Sequence, residues 1–210
     1  MTLVETTTGT YRESCTPVLA TERLVLRAPR REDVKAVAAL ANDRRIAENT
    51  LKLPHPYGLI DAEQWIAATN TRPGETTLLI EREGEAIGAC GFDIRNGVEP
   101  EIGYWIGVPF WGQGYATEAA RALIDYAFEE RGHATLVAGA RVSNAASRRV
   151  LEKCGFQWTG VALYRFRAIS SSAPCDRFRL ERAIWASLKS WGASKRSAPV
   201  REAGCDCAAA

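Results

Sequence analysis

The sequence predicts an α+β protein: a mixed, mostly antiparallel sheet of about seven strands with helices packed on both faces. Three observations carry that prediction. The middle of the chain holds consecutive apolar, partly β-branched runs separated by short turns, which is the pattern of an antiparallel meander. A long amphipathic helical stripe follows directly after them. The element order β-α-α-β-β-β-α-β-α-β-β interleaves strands and helices rather than segregating them.

The elements follow in chain order. Arg23-Leu-Val-Leu-Arg27 alternates like a strand, and Pro29 closes it. From Glu32 to Asn42 the apolar Val34, Val37, Ala38 and Ala41 recur at helical spacing. Pro54, Pro56 and Gly58 then interrupt the chain, and Asp61 opens a short helix carrying Trp65 and Ile66. Thr76 to Glu81 and Ala86 to Phe92 are strands joined by Glu83-Gly84-Glu85, a hairpin, and Glu101 to Val108 supplies the next strand. Tyr115 to Arg131 is the long helix, with Ala116, Ala119, Ala120, Leu123 and Ala127 on one stripe and Gly132 ending it. Thr135 to Ala140 reads as a strand and Asn144 to Cys154 as a helix that stops at Gly155. Phe156 to Arg165 and Cys175 to Ala186 read as two final strands around a Ser-rich loop. The organisation expected is a flexible segment over 1–20, one domain over 21–190 and a flexible tail over 191–210, where Gly, Ser, Ala, Pro and Arg take over.

Composition bounds the function. At 210 residues, 46% hydrophobic and 25% charged, the chain has the make-up of one ordinary globular domain. A net charge of +2 gives no reason to expect nucleic acid or a membrane surface as a partner. The longest apolar run is Ala36 to Ala41, far short of the roughly 20 residues of a membrane helix. Six irregularly spaced cysteines without a Cys-x-x-Cys pair suit a reduced, cytoplasmic compartment. No metal site is expected. Cys205 and Cys207 could chelate, but they stand in an Ala-rich tail.

The segment richest in chemistry is Val108-Pro-Phe-Trp-Gly-Gln-Gly-Tyr-Ala-Thr-Glu-Ala119, a strand end passing through a glycine turn into an amphipathic helix. Gly112 and Gly114 permit close backbone approach, and the unpaired N–H groups at the helix start favour an anion such as a pyrophosphate. The segment is neither a G-x-G-x-x-G nor a Gly-Lys-Ser/Thr fingerprint, so dinucleotides and nucleoside triphosphates are not the natural guests. Taken alone, it also fits a plain strand-to-helix turn.

Three ordered strings decide the context: Glu101-Ile-Gly-Tyr-Trp105, Phe110-Trp-Gly-Gln-Gly-Tyr-Ala-Thr-Glu-Ala119, and Asn144-Ala-Ala-Ser147 through Val150-Leu-Glu-Lys-Cys-Gly-Phe156. With them the chain, over about 21–188, resembles the GNAT superfamily of acetyl-coenzyme A-dependent N-acetyltransferases, and within it the RimJ/RimL-like ribosomal-protein N-terminal acetyltransferases. The resemblance implies a sheet that splays at a bulge beside the strand from Glu101 to Val108. It implies acetyl-CoA as co-substrate, held by backbone groups of about Ile106 to Val108 and by Trp111, Gly112, Gln113, Gly114, Tyr115, Ala116 and Thr117.

The same resemblance implies that Asn144 bonds the pantetheine arm, although its place before Ala145 also suits a helix N-cap. Leu151 stands where many relatives carry a tyrosine that protonates the departing thiolate. Ser147, one turn after Asn144, is the replacement found in the resembled subgroup, and otherwise a small helix residue. Glu101 reads either as a solvated strand end or, by resemblance, as a base acting through water.

The resemblance implies direct attack of a primary amine in a ternary complex. At pH 7 an α-amine is roughly 14% neutral and a lysine about 0.04%, so a modest base suits a protein N-terminal α-amine. A small amine, such as an aminoglycoside, polyamine or amino acid, is the alternative acceptor. A non-catalytic acetyl-CoA sensor is the alternative in kind, and a homodimer is compatible with the fold.

Overall fold

A computed structural model describes residues 16–69, 71, 74–95 and 99–196. Eight strands form one sheet: β1 (Leu19–Ala20), β2 (Val25–Arg27), β3 (Thr76–Arg82), β4 (Glu85–Arg95), β5 (Glu99–Ile106), β6 (Thr135–Arg141), β7 (Gln157–Phe166) and β8 (Ser171–Glu181). Their spatial order is β1-β2-β3-β4-β5-β6-β8-β7. Every neighbouring pair is antiparallel except β5 and β6, which are parallel. The helices are α1 (Val34–Ala41), α2 (Arg44–Ala47), α3 (Leu59–Ala68), α4 (Tyr115–Glu129), α5 (Ala145–Lys153) and α6 (Arg182–Arg196). None of the described helices is long and apolar enough to cross a membrane.

Local chemistry sets these boundaries. The β3–β4 hairpin turns on Glu83 (φ 51°) and Gly84 (φ 82°), two positive-φ residues whose twist matches the strands they join. Asp61 caps α3 by accepting from the Gly58 N–H at 2.9 Å. Asn144 caps α5, its Oδ1 accepting from the Ser147 N–H at 3.1 Å. Alternation along the central strands sends side chains to two cores. On one face Ile102, Ile106 and neighbours on β3 and β4 pack against α4 and α5; on the other, Leu79, Ala86 and Trp105 pack against α1, α2 and α3.

The structure departs from the sequence reading at the first strand and the last. Leu19–Ala20 adds an eighth, two-residue strand just ahead of the expected domain start at 21. The final strand stops at Glu181 instead of Ala186, and α6 takes over. Packing explains the switch: Trp185 packs at a tilt against Phe128 of α4 with ring centroids 5.1 Å apart and donates Nε1–H to Asp125 Oδ1 at 2.7 Å. A strand continued through Trp185 would forfeit both contacts. Residues 191–196, expected to open the tail, continue α6. The expected segments over 1–15 and 197–210, with Cys205 and Cys207, lie outside the described residues.

Candidate active site

β5 is paired with β4 from Glu99 to Ile106, but with β6 only at Glu101↔Val137 and Ile102↔Ala138. Past Ile102 the two parallel strands part, leaving a wedge beside Gly103 to Ile106 where one row of backbone groups has no neighbouring strand. Into this wedge runs a cavity of about 1220 Å³ lined from both faces of the sheet. On the α1–α3 face it meets Leu53, Tyr57, Trp65 and Trp105; on the α4–α5 face it meets Tyr104, Tyr115, Asn144 and Ser147.

The structure brings most of the sequence-selected residues to that one cavity: Glu101, Ile106, Trp111, Gly112, Gly114, Tyr115, Ala116, Thr117, Asn144 and Ser147 all line it. Val108 and Gln113 do not. Val108 begins a 3-10 turn that closes β5, and its side chain packs with the α1–α3 core. Gln113 points its Nε2 at the Pro109 carbonyl, 3.3 Å away. Ile106 is partly engaged already, because its carbonyl accepts Trp111 Nε1–H at 2.6 Å.

The turn before α4 is built for close approach. Gly112 (φ 76°) and Gly114 (φ 85°) are both left-handed, and a Cβ at Gly112 would meet no atom within 4 Å. Gly114 is the N-cap of α4 and offers no side chain to the helix start, so the first N–H groups of the helix are left for something else. Arg23 anchors the turn from outside. It donates to the Gln113 carbonyl at 3.1 Å and to Glu118 Oε2 at 2.8 Å, and its guanidinium lies 4.6 Å from the centre of the Tyr115 ring. Opposing burial, the hydrogen bonds from Thr21 and Arg23 hold the Glu118 carboxyl below its ordinary range, so it stays ionised in this anchor.

Along β5, Ile102, Tyr104 and Ile106 face α4 and α5, while Glu101, Gly103 and Trp105 face the opposite way. Glu101 and Ser147 therefore reach the wedge from opposite faces of the sheet. Glu101 is half-buried on the first of the two rungs that pair β5 with β6, one residue before the last rung at Ile102. Ser147, in the first turn of α5, holds two contacts to Tyr104: the Tyr104 hydroxyl is 3.0 Å from Ser147 Oγ and 3.2 Å from the Ser147 carbonyl oxygen, so its one proton is within reach of both acceptors. Burial pushes the Tyr104 hydroxyl well above the ordinary tyrosine range, against the lowering pull of Ser147.

The sequence reading missed Tyr104 and Arg23. Tyr104 has a usable signal, since it shares the period-2 face of Ile102 and Ile106. Arg23 has none, standing 95 positions from its partner Glu118.

Known proteins agree with this geometry. The profile described as "Acetyltransferase (GNAT) domain" matches residues 23–157. The chain is 31% identical to the N-acetyltransferase YoaA of Bacillus subtilis over 159 residues, 69% of this chain and 85% of that one. A shorter match to YkkB of the same organism is 44% identical over 82 residues, covering 38% of this chain and 48% of YkkB. Among solved structures, RimL, the ribosomal L7/L12 α-N-protein acetyltransferase in complex with coenzyme A, superposes with a TM-score of 0.71 at 19% identity, covering 79% of this chain and 98% of that one. With a profile spanning most of the sheet and a relative aligned over two thirds of its length, the chain belongs to the GNAT family of acetyltransferases.

Proposed function

We propose that this acetyltransferase carries the acetyl group of acetyl-CoA to a protein N-terminal α-amine, by direct attack in a ternary complex in the cytoplasm. One observation supports this reading above the rest: the cavity passes through the parted strands, with the glycine turn, Asn144 and Ser147 on one face and Glu101 on the other. Donor and acceptor can enter from opposite faces and meet at the wedge without displacing each other.

Each residue has a role in that reading. The N–H groups opening α4, with Gly112 and Gly114 keeping the surface bare, take the pyrophosphate; Trp111, Tyr115, Ala116 and Thr117 wall it. Asn144 and the free backbone row beside Ile106 hold the pantetheine arm. Glu101 removes the acceptor's proton through water, which matters most below the amine's own pKa. The Ser147 hydroxyl faces the sulfur as the C–S bond breaks and favours its departure. Leu151 is 1% exposed in the core and its side chain has no proton to give, so position 151 cannot assist the departing thiolate.

An acceptor panel tests the proposal. Release of free thiol from acetyl-CoA is followed with peptides bearing free or blocked N-termini and with aminoglycosides, polyamines and amino acids. Turnover restricted to free-α-amine peptides is expected, and Ser147→Ala should slow it by about tenfold to a hundredfold at nearly constant KM for acetyl-CoA. Turnover only with small amines would move the acceptor to that class. Binding without turnover on any acceptor would make the protein a sensor.

A further inference from the structure

A serine hydroxyl assists a leaving sulfur only when its single proton points there, and an unrestrained serine samples three staggered rotamers. Ser147 sits in the first turn of a short helix, half-buried, where the backbone does not select one rotamer. Something else must fix it. Its N–H is held by Asn144 Oδ1 at 3.1 Å, and its Oγ and carbonyl oxygen both meet the Tyr104 hydroxyl, at 3.0 and 3.2 Å. Tyr104 reaches them from β5 one rung beyond Gly103, where that strand has already left β6. Its backbone is registered against Cys90 of β4, on the fully paired edge. A rigid ring on a rigid strand thus contacts the one hydroxyl of α5 that the reading above uses.

We propose that Tyr104 is a positioning residue, whose hydroxyl donates to Ser147 Oγ, holding that side chain in the rotamer that faces the acyl-transfer point in the wedge and leaving the serine's own proton free for the sulfur. The inference rests on the reading of Ser147 given above and adds the group that acts through it. Tyr104 breaks no bond in this role. Burial keeps its phenol protonated, so it orients the serine as a neutral partner and is not the source of the proton. A residue that only tethered α5 to β5 would contribute to stability and leave the chemical step alone; a positioning residue affects the chemical step, and only while Ser147 carries a hydroxyl.

The test is a double-mutant cycle in steady-state kinetics on the full chain, with acetyl-CoA and an accepted amine. Tyr104→Phe should lower kcat about tenfold with KM for acetyl-CoA unchanged within about twofold, the split expected of a group felt in the transition state. In the Ser147→Ala background the same change should alter kcat by less than about twofold. Full kcat in Tyr104→Phe overturns the proposal, and so does an equal loss in both backgrounds. Ser147→Ala with full kcat instead overturns the reading of Ser147 itself, a result distinct from a slow Ser147→Ala beside a normal Tyr104→Phe. If Tyr104→Phe melts below the assay temperature, 3-fluorotyrosine at position 104 keeps the shape and changes the donor strength. A kcat change that vanishes in Ser147→Ala then supports the proposal, and no change overturns it.

Discussion

The two edges of β5 are made of the same residues and do opposite things. Toward β4 the strand is paired from Glu99 to Ile106, and small residues let the backbones close tightly. Toward β6 it is paired at Glu101 and Ile102 and then released. The closed edge spends its backbone groups on the fold, while the open edge keeps them for a guest. A strand thus serves as scaffold and site at once. Damage to the first edge should appear as lost stability, and damage around the second as lost binding or rate.

The largest effect is expected on the closed edge. A Cβ at Gly88 would collide with the Trp105 carbonyl oxygen and stand 3.0 Å from the Ile106 Cα, both backbone atoms that cannot rotate away. Gly88→Ala should therefore destabilise the protein by about 3 kcal/mol, at the upper end for an overpacked site. Chemical denaturation of the variant measures it. A loss below about 1 kcal/mol would mean that β4 and β5 can slide apart, and that the closed edge is not the rigid one.

The next effect belongs to the open side. Gly114→Val places a branched residue at φ 85°, costing about 1–2 kcal/mol by strain, and covers the helix start. Acetyl-CoA at a hundredfold excess over its Kd should stabilise the native protein by about 2.7 kcal/mol, and this variant should lose that gain entirely. Melting curves with and without the ligand read both terms. An intact ligand shift in Gly114→Val would place the pyrophosphate elsewhere.

How much of this was legible in the sequence follows the same division. Strands, the β3–β4 hairpin and α4 were readable because alternation, the Glu83-Gly84 turn and the alanine-rich stripe are local signals. The glycine turn was readable because conformation and residue type coincide there. The Tyr104–Ser147 contact joins residues 43 positions apart, and nothing near either one announces the other. The onset of α6 was misplaced because it is set by Trp185 meeting Asp125, 60 positions away. Local chemistry is written in the sequence; juxtaposition is written only in the fold.

The smallest effect separates two roles combined in one residue. Asn144 caps α5 through Oδ1 and lines the cavity beside Ser147. Asn144→Ala removes the cap, so it should cost about 1 kcal/mol of stability and also weaken acetyl-CoA binding, which leaves the roles entangled. Asn144→Asp disentangles them. Aspartate caps about as well as asparagine and suits the positive helix start, so the melting temperature should hold. It has lost the amide donor, however, and adds a negative charge near the proposed pantetheine path. Acetyl-CoA affinity should fall several-fold in Asn144→Asp at unchanged stability. If instead the aspartate variant binds acetyl-CoA as tightly as the parent, Asn144 acts as a cap alone, and the open edge of β5 holds the arm with backbone groups only.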